Sequence, residues 1–126
     1  MIFGIGTDII EVERVRKEVS KEGGFREKVF SPKEIKYCES KRNKAQNYAA
    51  RYAAKEAFLK AIGTGWRDGL AFNEIEIVNN ELGKPEITLY GKTKEFVEKI
   101  GNTNILVSLS HIKDFVNAVV IIEKIK

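Results

Sequence analysis

Residues 48–62 read YAARYAAKEAFLKAI, and this segment decides much of the fold. Its composition predicts a helix over about residues 45–62 that ends at Gly63. The only charged residues in the quoted segment are Arg51, Lys55, Glu56 and Lys60. A helix that is apolar nearly all round is typical of a buried element, in which charges must be paired or hold a ligand.

These charged side chains fall on two faces of the predicted helix. Glu56 and Lys60 share one face, and Arg51 and Lys55 share another, because each pair is spaced i,i+4. The alternative is that such pairs merely stabilise a half-exposed helix, and the helix alone does not decide between the two interpretations. For Lys55 we expect an ion pair, since no other role follows from its position.

The rest of the chain predicts an α+β fold with helices packed on a mostly antiparallel sheet. Ser31, Pro32 and Glu34 predict a helix start with a capping box. We expect one domain spanning residues 1–126. Helices are expected over residues 11–21, 32–41 and 92–100, and strands over residues 2–10, 72–78, 86–90, 104–110 and 115–123.

The composition limits the functional classes. The 22 Lys and Arg residues exceed the 18 Asp and Glu residues, so the formal net charge is +4, which suits an acidic or phosphorylated partner without requiring nucleic acid. A single cysteine, Cys38, cannot form an intramolecular disulfide and suits a reducing compartment. The apolar N-terminus lacks a basic leader and is interrupted by Asp8, so we expect no signal peptide, no membrane span and a cytoplasmic protein.

The first strand carries an unusual carboxylate. Alternation places Gly4, Gly6 and Asp8 on one face, so two glycines clear the surface beside a single acidic side chain. The alternative is that Asp8 simply caps the helix that follows. A dinucleotide-binding G-x-G-x-x-G motif is excluded, because Ile9 occupies the position of the third glycine.

Two further segments carry candidate ligand-binding groups. Gly63, Thr64 and Gly65 follow the charged helix and offer exposed backbone N–H groups to a phosphate, although a simple glycine C-cap explains them equally well. Residues 107–111, VSLSH, end a strand in hydroxyl groups and the only histidine, His111. Taken by itself, His111 is as well explained as a hydrogen-bonded turn residue.

Together these segments resemble the holo-acyl-carrier-protein synthase family of phosphopantetheinyl transferases. The matching segments are residues 4–9 (GIGTDI), 51–65 (RYAAKEAFLKAIGTG), 79–85 (NNELGKP) and 107–111. The resemblance covers nearly the whole chain in order and spacing. It implies a 4′-phosphopantetheinyl transferase-like fold and a role in fatty acid biosynthesis.

The family implies a reaction in which a serine of an apo acyl carrier protein attacks the β-phosphorus of coenzyme A. Phosphopantetheine moves to the serine, and adenosine 3′,5′-bisphosphate leaves. As in the family, Asp8 and Glu56 would bind Mg²⁺, and Lys60 would stabilise the pyrophosphate charge. The proton of the serine would go to Glu56, Asp8 or a metal-bound water, and these alternatives stay open.

The resemblance also assigns contacts with coenzyme A and with the protein substrate. Family positions that surround coenzyme A match Arg51, Gly63, Thr64, Gly65 and His111, together with Lys60. The usual form of the family is a homotrimer with coenzyme A at the subunit interfaces.

A basic stripe on the first helix predicts a docking surface for an acidic carrier protein. Its members are Arg14, which matches a family docking position, and Lys17 and Lys21, which rest on spacing alone. A solvated helix face is the alternative. Two other functional classes are alternatives. One is a non-catalytic coenzyme A or nucleotide-binding module, which does not need both carboxylates. The other is a small RNA-binding domain, which would need exposed aromatic residues interleaved with arginines.

Overall fold

A computed structural model describes residues 1–63 and 70–125 of the chain. In chain order, its elements are β1 (Ile2–Glu11), α1 (Val12–Ser20), α2 (Phe25–Val29), α3 (Pro32–Glu39), α4 (Lys44–Ile62), a 3-10 turn (Phe72–Glu74), β2 (Ile75–Asn79), β3 (Pro85–Leu89), α5 (Gly91–Glu98), β4 (Thr103–Ile112) and β5 (Phe115–Lys124). None of the helices in the described ranges is long and apolar enough to cross a membrane.

The strands confirm the predicted α+β class and its antiparallel pairing. One sheet has the order β1-β5-β4, and a second, two-stranded sheet pairs β2 with β3. All three strand pairs are antiparallel. In the larger sheet Asp8 lies opposite Ala118 of β5, and Ala118 lies opposite Leu109 of β4.

Helix α4 packs across the larger sheet and forms the centre of the core. Gly4 and Gly6 of β1 make this contact possible, because a Cβ atom at either position would collide with a backbone carbonyl of α4, that of Ala61 or that of Ala57. The alanines on the helix are largely buried, including Ala53, which is 0% exposed. Small residues on both elements therefore bring the strand and helix backbones into close contact.

The predicted secondary structure differs from the structure in one helix and one strand boundary. Helix α2 was not predicted, because a helix of five residues is too short to show helical periodicity. The strand expected from Phe72 begins instead at Ile75, after the 3-10 turn. The side chain of Lys55 donates to the backbone carbonyls of Phe72 and Ile75, so these groups are satisfied by a side chain rather than by a neighbouring strand.

The outer face of the larger sheet is apolar and exposed. Ile5 and Ile9 of β1 are 65% and 67% exposed, and Leu106 of β4 is 40% exposed. The register places Ile5, Ile121 and Leu106 in one row across the three strands. A contiguous apolar surface of this kind is typical of a protein–protein interface.

Candidate active site

Asp8 and Lys60 come together where β1 meets α4. The Lys60 ammonium donates to the carbonyl oxygen of Thr7 at 2.9 Å and forms an ion pair with Asp8 Oδ1 at 3.2 Å. The Asp8 side chain is 17% exposed and that of Lys60 is 55% exposed. Residues far apart in the sequence thus form a pair that solvent and ligands can reach.

Glu56 lies beside this pair on a cleft of about 640 Å³. The charged residues that line the cleft are Glu56 and Lys60 of α4 and Lys28 of α2, and most of the other lining side chains are apolar. These include Phe25, Val29, Tyr52, Leu59, Leu70 and Phe72. A concave, mostly apolar surface with a few charged groups is typical of a small-molecule site.

Tyr52 is a cleft residue that the sequence did not single out. Burial raises the pKa of Tyr52 to about 12, and the charge of Glu56 and a hydrogen bond to it contribute further. Tyr52 precedes Glu56 by one helical turn, so i,i+4 spacing was the signal that could have identified it. Tyr52 and Glu56 therefore interact at the wall of the cleft.

Arg14 of α1 lies on the same side of the molecule. Its positive charge lowers the pKa of Tyr52, whereas the negative charge of Asp8 raises it, so both groups act on the Tyr52 hydroxyl. Lys17 is exposed on the same helix. Lys21 follows the end of α1 with extended backbone and pairs with Glu18 at 3.2 Å, so helical spacing does not align it with the other two basic residues.

The two carboxylates at this site have the donor chemistry of a magnesium site. Among the described residues, no three His, Cys, Asp or Glu side chains are grouped as a metal site would require. Mg²⁺ needs only one or two protein carboxylates and keeps several waters, so Asp8 and Glu56 fit it, whereas the three or four ligands of a zinc site are not found in this part of the chain.

Arg51 lies on a different face of α4 from Glu56. It is 2% exposed, its guanidinium stacks on the Tyr37 ring at 4.3 Å, and Nη1 donates to the carbonyl oxygen of Asn47 at 3.4 Å. Within residues 1–63 and 70–125, its buried Nε and Nη2 atoms have no hydrogen-bond partner. Buried polar atoms of this kind are costly, and a ligand that bonds to them would relieve the cost.

His111 is likewise separated from Asp8 within the chain. Strand β5 lies between β1 and β4, and the Nδ1 atom of His111 lies 3.0 Å from the side-chain amide of Gln46. Gly63 ends α4 with a φ of 87°, as expected for a glycine C-cap. Thr64 and Gly65 lie outside the described residues.

Lys55 has the ion pair expected for it, and the pair is fully buried. Its ammonium lies 2.7 Å from Glu34 Oε1, and both side chains are 0% exposed. Burial lowers the pKa of Lys55, although Glu34 opposes this shift. Glu34 also accepts from the backbone N–H of Ser31, which completes the predicted capping box, and from that of Ile77.

Comparison with known proteins identifies the family. A model of the 4′-phosphopantetheinyl transferase superfamily matches residues 4–120. The chain belongs to this superfamily. It is similar to a protein named holo-[acyl-carrier-protein] synthase from Ruminiclostridium cellulolyticum, with 51% identity over 120 residues that cover 94% of this chain and 90% of the relative.

Solved structures of the superfamily share the fold. The crystal structure of holo-[acyl-carrier-protein] synthase from Neisseria meningitidis has a TM-score of 0.90 and 36% identity, and the match covers 98% of this chain and 100% of that chain. A holo-(acyl-carrier-protein) synthase from Bacillus anthracis str. Ames, solved in complex with CoA (3′,5′-ADP), has a TM-score of 0.82 and 32% identity and covers 98% of both chains.

Proposed function

We propose that this protein is a holo-acyl-carrier-protein synthase that serves fatty acid biosynthesis in the cytoplasm. It transfers 4′-phosphopantetheine from coenzyme A to a serine of apo acyl carrier protein and releases adenosine 3′,5′-bisphosphate. The observation that carries the proposal is the meeting of Asp8 and Lys60 beside the Glu56 cleft, in a chain that matches the superfamily over residues 4–120.

Asp8 and Glu56 are the proposed ligands of Mg²⁺. When bound, the metal neutralises charge on the pyrophosphate oxygens of coenzyme A. Lys60 supplies a further positive charge and positions the pyrophosphate for attack by the serine hydroxyl. Its side chain is more than half exposed, so its ammonium can exchange the Asp8 carboxylate for a phosphate oxygen.

Coenzyme A is proposed to bind between two copies of the chain, which assemble as a homotrimer. Arg51 and His111 are proposed contacts, yet neither neighbours Asp8 or Lys60 in one chain. A second subunit that brings them to the site reconciles the two observations. The Arg51 nitrogens that find no partner in the described part of the chain support a ligand there. Gly63, Thr64 and Gly65 are the proposed backbone contacts.

The exposed apolar sheet face supports this assembly. We expect sedimentation equilibrium to give a mass about three times that of one chain, and Ile9→Glu to dissociate the trimer and abolish transfer. Leu82→Glu is the matched control, because Leu82 is 94% exposed in the turn before β3 and belongs to no strand of the larger sheet. A monomeric wild-type protein with full activity would contradict the interfacial site.

Docking of the acidic carrier protein is assigned to Arg14, Lys17 and Lys21. Arg14 acts electrostatically on Tyr52 in the cleft, so the docking helix lies next to the reacting groups. Basic side chains at such a surface raise the association rate with an acidic partner.

One experiment tests the transfer itself. The protein is incubated with apo acyl carrier protein, coenzyme A and Mg²⁺, and the carrier is weighed by mass spectrometry. We expect the carrier to gain the mass of phosphopantetheine and this gain to disappear when EDTA removes the metal. Binding of coenzyme A without any adduct, whichever divalent metal is supplied, would instead indicate a non-catalytic coenzyme A-binding module.

A further inference from the structure

The rotation of helix α4 about its own axis decides which of its side chains face β1. Its contact with β1 is made by alanine and glycine, whose small side chains form shallow ridges and grooves. A rotation of the helix by one residue position, about 100°, would move Glu56 and Lys60 away from Asp8. Packing of the large buried side chains Tyr48 and Phe58 favours one orientation, and a polar feature that only this orientation satisfies would fix it further.

The buried ion pair of Lys55 and Glu34 provides such a feature. Lys55 Nζ is held by three acceptors, namely Glu34 Oε1 at 2.7 Å, the carbonyl oxygen of Phe72 at 2.8 Å and that of Ile75. Glu34 is fixed in turn, because its two oxygens accept the backbone N–H groups of Ser31 and Ile77 at 2.9 Å. The ammonium can satisfy these partners in only one orientation of α4.

The same contacts set one wall of the cleft. The carbonyl of Phe72 accepts from Lys55, and the backbone N–H of Ala71 donates to Thr93 Oγ1 at 3.3 Å. Ala71 and Phe72 line the cleft together with Glu56, which is the neighbour of Lys55 in sequence. Lys55 thus links the helix that carries Glu56 and Lys60 to the opposite wall of the cleft.

We infer that Lys55, through Glu34, is a positioning residue for the transfer reaction, fixing the rotation of α4 so that Glu56 and Lys60 face Asp8. Buried ion pairs are best attested in this role of specifying register rather than in adding stability. The inference rests on the roles proposed above for Glu56 and Lys60. Lys55 itself is 0% exposed and does not touch the substrate site.

The test replaces the pair with neutral side chains of similar length, Lys55→Met together with Glu34→Gln, which removes both charges of the pair at once. Because displacement of reacting groups by about 1 Å can cost about 100-fold in rate, we expect kcat to fall by about 10- to 100-fold, with KM for coenzyme A changed less than about threefold. Transfer is measured at a temperature well below the thermal unfolding midpoint of each variant.

Glu76→Gln is the matched control for a loss of stability alone. Glu76 belongs to the same buried network, since it accepts from Ser31 Oγ at 2.7 Å and from the Tyr90 hydroxyl at 3.0 Å, but it makes no hydrogen bond to α4. We expect this variant to lose stability while keeping the kcat of the wild type. Equal kcat values in the paired variant and the wild type would overturn the inference.

If the paired variant does not fold, Glu34→Asp tests the same positioning role of the ion pair. It keeps the charge but withdraws the carboxylate by one methylene group, and we expect a fall in kcat of about tenfold with a native circular dichroism spectrum. Unchanged kcat in Glu34→Asp would overturn the inference. An inactive wild-type protein would instead refute the proposed function, so the two failures are distinguishable.

Discussion

Two lysines on helix α4 have opposite surroundings. Lys55 and its partner Glu34 are 0% exposed, whereas Lys60 is 55% exposed and its partner Asp8 is 17% exposed. The first pair is 2.7 Å long and the second is 3.2 Å long. Solvent screens only the pair of Lys60 and Asp8, so Lys60 can exchange its partner for a ligand. The buried pair of Lys55 and Glu34 cannot do so and has a structural role.

The largest effect we expect is on stability and comes from the buried pair. Lys55→Met leaves Glu34 charged and buried without a partner, which should lower the free energy of unfolding by about 3–5 kcal/mol. Urea denaturation followed by circular dichroism measures this change. The matched variant Lys60→Met should cost less than about 1 kcal/mol, because an exposed ion pair contributes little. Equal losses of unfolding free energy in the two variants would contradict the difference between the buried and the exposed ion pair.

The next largest effect is on activity, and here we expect Lys60 to matter more than Lys55. Lys60→Met should lower kcat by about 100- to 1,000-fold, the usual cost of removing a group that stabilises transition-state charge, while the urea midpoint stays close to that of the wild type. Steady-state transfer to apo acyl carrier protein gives kcat. Full turnover by Lys60→Met would show that the exposed pair has no part in the chemistry.

A smaller effect is expected where the carrier protein docks. Arg14→Ala should raise KM for the carrier by about fivefold and leave kcat unchanged, because a surface charge acts mainly on association. Arg16→Ala is the control, since Arg16 is on the same helix, 59% exposed and paired with Glu13. The difference between the two variants should shrink as salt is raised. If both substitutions raised KM for the carrier equally, Arg14 would have no specific docking role and would only contribute to a general basic surface.

The smallest effect is expected at Cys38 of α3, where the rate of thiol labelling reports on the contact between α3 and α4. Cys38 is 0% exposed, and burial raises its pKa to about 12, so thiol reagents should label it slowly at pH 8. Labelling should accelerate in Lys55→Met, which loosens the contact between α3 and α4, and not in Lys60→Met. Rapid labelling of the wild-type protein would show that this contact opens readily.

Much of the fold follows from local sequence signals. The capping box at Ser31 and Glu34 and the glycine end of α4 were predicted, because both depend on neighbours along the chain. The partner of Lys55 was not, since Glu34 lies on another helix and only tertiary packing brings the two together. The 3-10 turn at Phe72 escaped prediction for the same reason.

The candidate site was predictable only in part. Alternation along β1 singled out Asp8, and helical spacing paired Glu56 with Lys60, but their assembly into one site came from the family resemblance. Tyr52 was missed because an aromatic residue on an apolar helix is usually part of the core. Arg51 and His111 make their contacts away from Asp8 and Lys60 in one chain. The proposed assembly would account for this separation, and the sequence of one chain does not encode such an assembly as a pattern.

The most direct test of the central claim is the rate of phosphopantetheine transfer by Glu56→Gln at saturating substrates and Mg²⁺. Glu56 is half-buried at the cleft, so the amide should fit with little change in unfolding midpoint. The account predicts a loss of kcat of at least about 100-fold, because a proposed metal ligand is removed from the site. Full turnover by this variant would contradict the assignment of the site.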